Sequence, residues 1–288
     1  MSVSLRCYST SLGCPKNRVD TERLLGSLGV ALVPVESPDE AELVFINTCA
    51  FIQPATEESV RTIAQAIADI EELPKRPLLA VAGCLVGRYH AEDLAPELPE
   101  VDLWLDNSDL EAWPAMLARK LSLPEPTVPG RILSTGPSYA WLKISDGCRH
   151  TCSFCAIPNI RGGHRSHCKD MIVREARALL DQGVKELNLV AQDLTEWGCD
   201  LDGKQDLRTL LDGLLPLQGL ERLRLMYLYP AGMTHEMLKY LREAGKPFVP
   251  YFDVPVQHSH PDVLSRMGRP FARNPREAID RIRNVFPE

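Results

Sequence analysis

The sequence predicts an α/β protein with an N-terminal open parallel sheet domain followed by a partial parallel (βα) barrel. Strand and helix patterns alternate along the chain, and the strand patterns are short apolar runs typical of buried parallel strands. A proline- and glycine-rich stretch separates the two parts. The length of 288 residues, with 44% hydrophobic and 25% charged residues, suits one large globular domain or two of ordinary size.

The first domain is predicted over residues 1–122. Its five strand patterns are "SLRCYS", "VALVPV", "AELVFINTC", "PLLAVAGC" and "VDLWLD". The segment "CPKNRVDTERLLGSLG" predicts a helix that ends in glycine. A second helix begins near Pro54 and repeats apolar side chains at helical spacing, at Val60, Ile63, Ala64, Ile67 and Ile70. This alternation predicts an open α/β sheet.

Residues 123–137 are predicted to connect the two domains, because proline and glycine recur there. The second domain is predicted over residues 138–288. Its strand patterns lie in "SYAWLKISDGC", "KELNLVAQD", "RLRLMYLYP" and "PYFDVPVQH", with helical segments between them. These four βα units predict a parallel barrel or part of one.

Composition excludes several classes of protein. No apolar run is long enough to span a bilayer, and the N-terminal residues lack the apolar core of a signal peptide, so we expect a cytoplasmic protein with no membrane partner. Nine cysteines in a reducing compartment indicate metal or redox chemistry rather than a disulfide framework. The net charge of −7 gives no general electrostatic attraction to nucleic acid.

Six of the cysteines form two sets of three. Cys148, Cys152 and Cys155 have the spacing C-x3-C-x2-C and follow the first barrel strand. The other set, in which each member ends a predicted strand of the first domain, is Cys14, Cys49 and Cys84. Because the carboxyl ends of parallel strands share one edge of a sheet, we expect the members of this dispersed set to converge in space.

Three thiolates are one fewer than the four that usually hold an iron–sulfur cluster, so each set would leave one iron open to a substrate or cofactor. Two alternatives stay open from the residues alone. The contiguous set could bind zinc with a histidine such as His150 or His164, and the dispersed set could be small buried hydrophobic residues. No ligand role is predicted for Cys7, Cys168 or Cys199.

The C-x3-C-x2-C motif, with Phe154 directly before the third cysteine, resembles the cluster motif of radical S-adenosylmethionine (SAM) enzymes. In that superfamily the open iron binds the amino and carboxylate groups of SAM, and electron transfer cleaves SAM to a 5′-deoxyadenosyl radical. Together with an N-terminal domain that carries three dispersed cysteines, the motif resembles the methylthiotransferases of this superfamily. The resemblance implies two 4Fe–4S clusters and SAM as cofactors.

Methylthiotransferases modify either adenosine in transfer RNA or the β-carbon of an aspartate in small-subunit ribosomal protein twelve. The stretches "SLGCPKNRVDTE" and "VAQD" differ from the transfer-RNA enzymes, which read Gly-Cys-Gln-Met-Asn and Gly-Gln-Asn there. The stretches "NTCAFIQPATEES", "FCAIPNIRGGHRS", "YLYP" and "DVPVQH" are similar to the ribosomal-protein enzymes. The resemblance therefore implies a transferase that replaces C–H by C–S–CH3 on that aspartate; transfer-RNA methylthiolation and an inactive cluster-binding fragment are the alternatives.

The resemblance also implies roles for individual residues, although it assigns no catalytic acid or base. Cys14, Cys49 and Cys84 would hold an auxiliary cluster, and Cys148, Cys152 and Cys155 the SAM cluster. The residues expected near SAM or the substrate are Phe154, Ile157, Gln192, Asp193, Gln257 and His258. A purely structural role for His258 is the alternative. Arg161 and Arg165 either orient a carboxylate of SAM or substrate or are solvated surface residues.

The implied partners are the ribosomal protein and an electron donor such as flavodoxin or ferredoxin, with the chain itself acting as a monomer. The sequence departs from the family in two places. His167 stands where an arginine is common, and the sequence stops before two further barrel strands and a small β-barrel (TRAM) domain that helps to dock the substrate. We expect this truncation to weaken the coupling between SAM cleavage and substrate modification.

Overall fold

The computed structural model describes residues 4–269, 274 and 276–287, and the chain forms two compact units. The first comprises the residues up to Ser134 together with Asn159–Arg161, and the second comprises Thr135–Pro158 and the residues from Gly162 onward. The chain therefore passes from one unit to the other between Ser134 and Thr135, and most of the proline-rich stretch belongs to the first unit.

The first unit is built on a five-stranded parallel sheet with the order β2-β1-β3-β4-β5. Its strands are β1 Ser4–Ser11, β2 Ala31–Pro34, β3 Leu43–Thr48, β4 Leu78–Gly83 and β5 Leu103–Leu105. Every residue of β3 is buried, as expected for a central strand covered on both faces. This sheet confirms the open parallel architecture that the sequence predicts.

Helices connect these strands. They are α1 Pro15–Ser27, α2 Gln53–Ile70, α3 Cys84–Tyr89, α4 Ala91–Leu94 and α5 Trp113–Lys120, with 3-10 turns at Pro38–Glu40 and Asn107–Asp109. Proline lies in the first turn of α1, α2 and α5, where its missing N–H costs no helical hydrogen bond. The buried face of α2 differs from the predicted apolar stripe, because Val60 and Ala64 are exposed while Ser59 is buried.

The core of the first unit lies between one face of the sheet and helices α1 and α5. Leu43 and Phe45 of β3 point to this face, since alternate residues of a strand share a face. The helical side chains packed against them include Leu24, Leu28, Trp113 and Leu117. Full burial of a leucine or phenylalanine stabilises the fold by about 1.5–3 kcal/mol, so this layer fixes the sheet edge that follows it.

The second unit contains a four-stranded parallel sheet with the order β11-β10-β9-β6, and a short antiparallel pair, β7-β8. Its strands are β6 Tyr139–Lys143, β7 Ser145–Asp146, β8 Arg165–Ser166, β9 Glu186–Val190, β10 Arg222–Leu225 and β11 Phe248–Phe252. The strands of the larger sheet are neighbours in chain order, which is the arrangement that successive βα units produce.

The helices of this half of the chain are α6 Ile157–Arg161, α7 Lys169–Asp181, α8 Leu207–Leu214, α9 His235–Ala244, α10 Pro261–Arg266 and α11 Glu277–Val285, with 3-10 turns at Leu194–Glu196 and Pro230–Gly232. Side-chain caps begin three of them: Asp206 accepts from the Thr209 N–H at 3.0 Å, Thr234 from the Met237 N–H at 3.2 Å, and His260 Nδ1 from the Asp262 N–H at 3.2 Å. Within the described part of the chain, no helix has the length and apolarity to cross a membrane.

Gly83 is required at the junction between β4 and α3. Its φ of +98° and ψ of −155° are essentially open to glycine alone, and a Cβ there would collide with Asn47 Oδ1 and lie 2.6 Å from the Thr48 carbonyl oxygen. We predict that Gly83→Ala lowers the free energy of unfolding by about 2–3 kcal/mol.

Urea unfolding of the cluster-free protein under reducing, anaerobic conditions measures this loss. Gly29→Ala is the matched control, since Gly29 also has a positive φ of +67° but has open space around the position of a Cβ. It should cost only about 1 kcal/mol. Equal losses in the two variants would contradict a steric requirement at Gly83.

Candidate metal centres

The first cysteine set lies at the carboxyl ends of three adjacent strands. Cys14 follows β1, Cys49 follows β3 and Cys84 follows β4, and these strands are neighbours in the order β1-β3-β4. Thr48 pairs with Gly83 in the β3–β4 ladder, so the next residue of each strand leaves the sheet at the same level. The fold therefore brings three thiols that are distant in sequence to one sheet edge.

The thiols of this set interact electrostatically. Burial raises the pKa of Cys49, and the neighbouring Cys84 and Cys14 thiols raise it further. Burial also raises the pKa of Cys84, where Cys14 acts in the same direction. Gly13 permits the approach, because a Cβ at this position (φ +84°) would lie 2.7 Å from Cys49 Sγ.

A buried polar network holds the backbone around these thiols. Asn17 Nδ2 donates to the Leu12 carbonyl at 2.9 Å and to the Thr48 carbonyl at 2.8 Å. The Ser59 hydroxyl accepts from the Cys49 N–H at 3.0 Å and donates to the Cys49 carbonyl at 2.7 Å, which explains why α2 buries a serine. Asn107 Nδ2 lies 3.8 Å from Cys84 Sγ. The thiols are thus presented by a fixed backbone.

Arg161 belongs to the first unit, although its neighbours in sequence belong to the second. Its side chain is 1% exposed and forms a 3.2 Å ion pair with the equally buried Asp20. On sequence grounds, Arg161 is expected either to bind a carboxylate of SAM or substrate or to be a solvated surface residue. The guanidinium is instead buried, and its carboxylate partner is Asp20 of the chain itself. Arg165 lies exposed in β8.

The second cysteine set lies in the loop that follows β6 and β7. Gly147, with φ +66°, allows close approach to the Gly162–Gly163 backbone, and the Cys148 N–H donates to the Gly162 carbonyl at 3.2 Å. The Cys155 N–H closes a turn onto the Cys152 carbonyl at 3.1 Å. Further along, the Ser153 N–H and hydroxyl donate to the carbonyls of Met267 and Arg266. Hydrogen bonds therefore hold the loop at Cys148 and again at Ser153.

The environment of this set is also buried and coupled. The pKa of Cys148 is raised to about 11, mainly by burial, and Asp193, Cys155 and Cys152 act in the same direction. Burial raises the pKa of Cys155, and Arg269 opposes this effect. Arg269, which is 7% exposed, donates to Cys152 Sγ at 3.2 Å. A positive charge thus stabilises thiolates in this loop.

Asp193 is joined to the cysteine loop through His150. Its Oδ2 lies 2.6 Å from His150 Nε2, and its Oδ1 accepts from the Thr195 N–H and hydroxyl at 2.8 and 2.7 Å. The His150 ring stacks on Tyr229 with a centroid separation of 4.0 Å, and the Arg269 guanidinium lies 4.4 Å from the Tyr229 centroid. Both oxygens of Asp193 are therefore engaged within the chain.

The spacing of the thiols argues against a zinc ion at either cysteine set. Among the described residues, two groups have possible ligand atoms that all lie within 4.8 Å of one another: His164–Cys199–Asp200 and His150–Asp193–Glu196. Neither three-cysteine set is so tightly grouped, whereas one tetrahedral zinc ion with Zn–S bonds of about 2.3 Å needs sulfurs about 4 Å apart. His150 and His164 therefore group with carboxylates and Cys199, not with the contiguous cysteines.

The other predicted contact residues have different surroundings. Phe154 is 46% exposed, and Ile157 is half-buried at the start of α6. The amide oxygen and nitrogen of Gln192 are buried without a hydrogen-bond partner in the described chain. Gln257 and His258 lie on an exposed turn, where His258 Nδ1 accepts from the His260 N–H at 2.9 Å. The structure therefore leaves this last pair at the surface.

A cleft of about 370 Å³ adjoins the second cysteine loop. His150, Tyr229 and Thr195 line it together with Arg149, Glu196, Ala231 and Gly232. Its volume lies in the range of small-molecule sites. A second cleft, of about 320 Å³, includes Arg6 and Glu42 and lies at the amino ends of the first unit's strands, away from the cysteines.

Sequence reasoning missed several residues of both centres: Asn17, Asp20, Asn107, Tyr229 and Arg269. Tyr229 had a usable signal, because "YLYP" follows the third strand of the barrel, β10, at its carboxyl end. Asn17 and Asp20 recur at helical spacing after Cys14, but nothing in that pattern distinguishes them from solvated residues. Arg269 carries no local signal, since only the tertiary fold brings it to Cys152.

Family comparisons place the second unit in a known class. Residues 142–288 match the Radical SAM superfamily, and residues 6–106 match the family described as Uncharacterized protein family UPF0004. The first of these matches covers just over half of the chain. The chain belongs to the radical SAM superfamily.

Curated relatives extend the similarity over almost the whole chain. It is 68% identical over 281 residues to the ribosomal protein uS12 methylthiotransferase RimO of Nitratidesulfovibrio vulgaris, a match that covers 98% of the chain. It is 61% identical over 288 residues to the protein of the same name from Lawsonia intracellularis. The chain spans 65% and 66% of the lengths of these two relatives. The resemblance drawn from the motifs is confirmed by these matches.

Solved structures share the fold at low sequence identity. The radical S-adenosylmethionine methyltransferase TsrM from Kitasatospora setae aligns with a TM-score of 0.66 and 14% identity, covering 99% of this chain and 65% of that one. The cobalamin-dependent S-adenosylmethionine radical enzyme OxsB aligns with a TM-score of 0.60 and 13% identity, covering 98% and 48%. These likenesses confirm the predicted fold class.

The three remaining cysteines should differ sharply in reactivity. Cys7 is 4% exposed in the core of the first unit, and burial raises its pKa to about 12. Cys168 and Cys199 are exposed, and partial burial raises the pKa of Cys199. Because the thiolate is the nucleophile, we predict that iodoacetamide modifies Cys168 first, Cys199 next and Cys7 at least about tenfold more slowly.

Peptide mass spectrometry of the natively folded protein, sampled over time at pH 8, measures these rates. In denaturant the three thiols should react at similar rates, which controls for peptide recovery. Rapid native modification of Cys7 would contradict its placement in the core.

Proposed function

We propose that this chain holds two 4Fe–4S clusters and SAM and acts in methylthiolation of an aspartate β-carbon in small-subunit ribosomal protein uS12. The observation that carries the proposal is the pair of three-cysteine sets, each at the carboxyl ends of parallel strands. The names of relatives at 61–68% identity favour the ribosomal protein as substrate over transfer RNA.

Cys14, Cys49 and Cys84 would hold the auxiliary cluster. The fold brings these three thiols to one sheet edge, and the Asn17 and Ser59 hydrogen bonds fix the backbone around them. Outside the two sets, Cys7 lies in the core, and Cys168 and Cys199 are exposed to solvent. This set therefore offers three thiolates and leaves one iron for a sulfur-bearing ligand.

Cys148, Cys152 and Cys155 would hold the second cluster and, through its open iron, SAM. When bound, the cluster and SAM supply one-electron cleavage of SAM and hence hydrogen abstraction from an unactivated carbon. Phe154, Ile157, Gln257 and His258 are the proposed contacts around SAM or the substrate.

Gln192 fits a polar ligand best, because its buried amide has an unpaired donor and acceptor among the described residues. Asp193 would act indirectly, through His150. It fixes the orientation of His150 through the 2.6 Å hydrogen bond, and Tyr229 supports the other side of the imidazole by stacking. His150 and Tyr229 line the 370 Å³ cleft, so Asp193 would help to fix the shape of its wall.

The proposed partners follow from the proposed activity. The substrate would be uS12, and a low-potential one-electron donor such as flavodoxin or ferredoxin would reduce the clusters. The net charge of −7 favours a basic protein partner at long range. A monomer acting in the cytoplasm, where ribosomal proteins are made, is part of the same proposal.

We predict two independent clusters. Anaerobically reconstituted protein should contain about eight irons and eight sulfides per chain, whereas Cys152→Ala and Cys84→Ala should each contain about four of each. Iron and sulfide quantitation with Mössbauer spectroscopy provides the measurement. Stoichiometric zinc in place of iron, or loss of both clusters in either variant, would contradict the assignment.

We also predict separable reactions at the two centres. With SAM, a strong reductant, sulfide and uS12, the reconstituted protein should form 5′-deoxyadenosine in large excess over methylthio-aspartate. Cys152→Ala should form neither product, because its SAM cluster is missing. Cys84→Ala should still form deoxyadenosine but no adduct. Mass spectrometry follows both products, and transfer RNA offered in a parallel reaction is the competing substrate. A methylthio group on the RNA and none on uS12 would refute the proposed substrate.

A further inference from the structure

We propose that Arg161 raises the reduction potential of the cluster at Cys14, Cys49 and Cys84, and that Asp20 partly offsets this effect. The inference rests on the proposed function for its cluster. It assigns Arg161 a positioning and electrostatic role toward a centre to which it supplies no ligand.

Arg161 is a charged residue in a buried position. A guanidinium that is 1% exposed loses most of its hydration, which is costly unless the charge is paired and hydrogen-bonded. The segment Asn159–Arg161 reaches this place by packing on α3, the helix that begins at Cys84. Gly87 of α3 makes room for it, because a Cβ there would collide with the Ile160 carbonyl oxygen.

Arg161 and Cys84 share a polar neighbour, Asn17. Arg161 NH2 donates to Asn17 Oδ1, and the same oxygen lies 3.8 Å from Cys84 Sγ. NH1 and NH2 each lie 3.2 Å from Asp20 Oδ2. The positive charge therefore sits in the innermost polar layer around the thiols, with Asp20 as its counter-ion.

The positive charge is linked to the sulfur through one shared acceptor, Asn17 Oδ1, whereas Asp20 Oδ2 contacts the guanidinium itself. The counter-ion therefore weakens but does not cancel the positive potential that the guanidinium imposes on the cysteine set.

Such a potential favours the reduced cluster. Reduction adds one negative charge to a centre that already carries three thiolates, and a nearby buried cation stabilises that charge strongly because screening by water is weak. Net charge and hydrogen bonding around the sulfurs are among the factors that set iron–sulfur potentials. Removal of Arg161 should therefore lower the potential, and removal of the Asp20 charge should raise it.

The experiment isolates the first cluster by working in a Cys152→Ala background. Potentiometric titration followed by electron paramagnetic resonance gives its midpoint potential in the parent and in each variant. At the parent's midpoint, Arg161→Gln should lower the ratio of reduced to oxidised cluster about tenfold, which corresponds to about 59 mV for one electron. Arg161→Lys keeps the charge and should stay near the parent. Asp20→Asn should shift the potential upward.

The opposite signs separate electrostatics from structure. Arg161→Gln and Asp20→Asn break the same buried ion pair, so a purely structural role would lower thermal stability and iron content in both without opposite potential shifts. Arg88→Gln is the matched control. Arg88 donates to the Ala50 carbonyl beside Cys49 but is partly exposed, so its removal should shift the potential by much less.

The measured potentials either support or overturn the proposed role of Arg161. An unchanged potential in Arg161→Gln with full iron content would overturn it, as would shifts of the same sign in Arg161→Gln and Asp20→Asn. If Arg161→Gln does not fold, Asp20→Asn decides alone: a raised potential supports the inference and an unchanged or lowered one overturns it. A parent without a cluster at the first set refutes the proposed function instead, so the two failures are distinguishable.

Discussion

The first centre depends on one set of buried hydrogen bonds that join three strand ends. Asn17 reaches the carbonyls that follow β1 and end β3, and the Thr48 hydroxyl donates to the Ala82 carbonyl of β4 and accepts from the Leu85 N–H of α3. Three of these four hydrogen bonds are buried, and each buried bond left unmade would cost about 1–3 kcal/mol. The network therefore fixes the spacing of the three cysteines.

The second centre holds its cysteines in a single loop by hydrogen bonds. Its cysteines are close in sequence, so the fold needs only to hold one loop, which it does through backbone contacts to Gly162 and Met267. Both centres nevertheless have a buried arginine, Arg161 in the first unit and Arg269 in the second. In both sets a buried positive charge lies near the thiols, where it favours the thiolate form.

Much of the fold followed from periodicity and from rules of parallel sheets. The strand patterns located all nine longer strands found among the described residues, and chain connectivity placed Cys14, Cys49 and Cys84 at one edge. The stripe on α2 was partly wrong, because Ser59 is buried to bind the Cys49 backbone while Val60 faces solvent. Hydrophobicity alone cannot show that a buried backbone group needs a hydroxyl partner.

The sequence by itself determined the class of chemistry, since residue type and spacing fix which ligands a chain can offer and parallel strands fix where they emerge. Only the tertiary structure decided which charges surround those ligands. Arg161 and Arg269 resemble surface arginines in the sequence, yet each is buried beside a cysteine set, and Asp193 is engaged by His150. Electrostatic environment depends on distances between residues far apart along the chain, and a one-dimensional pattern does not contain those distances.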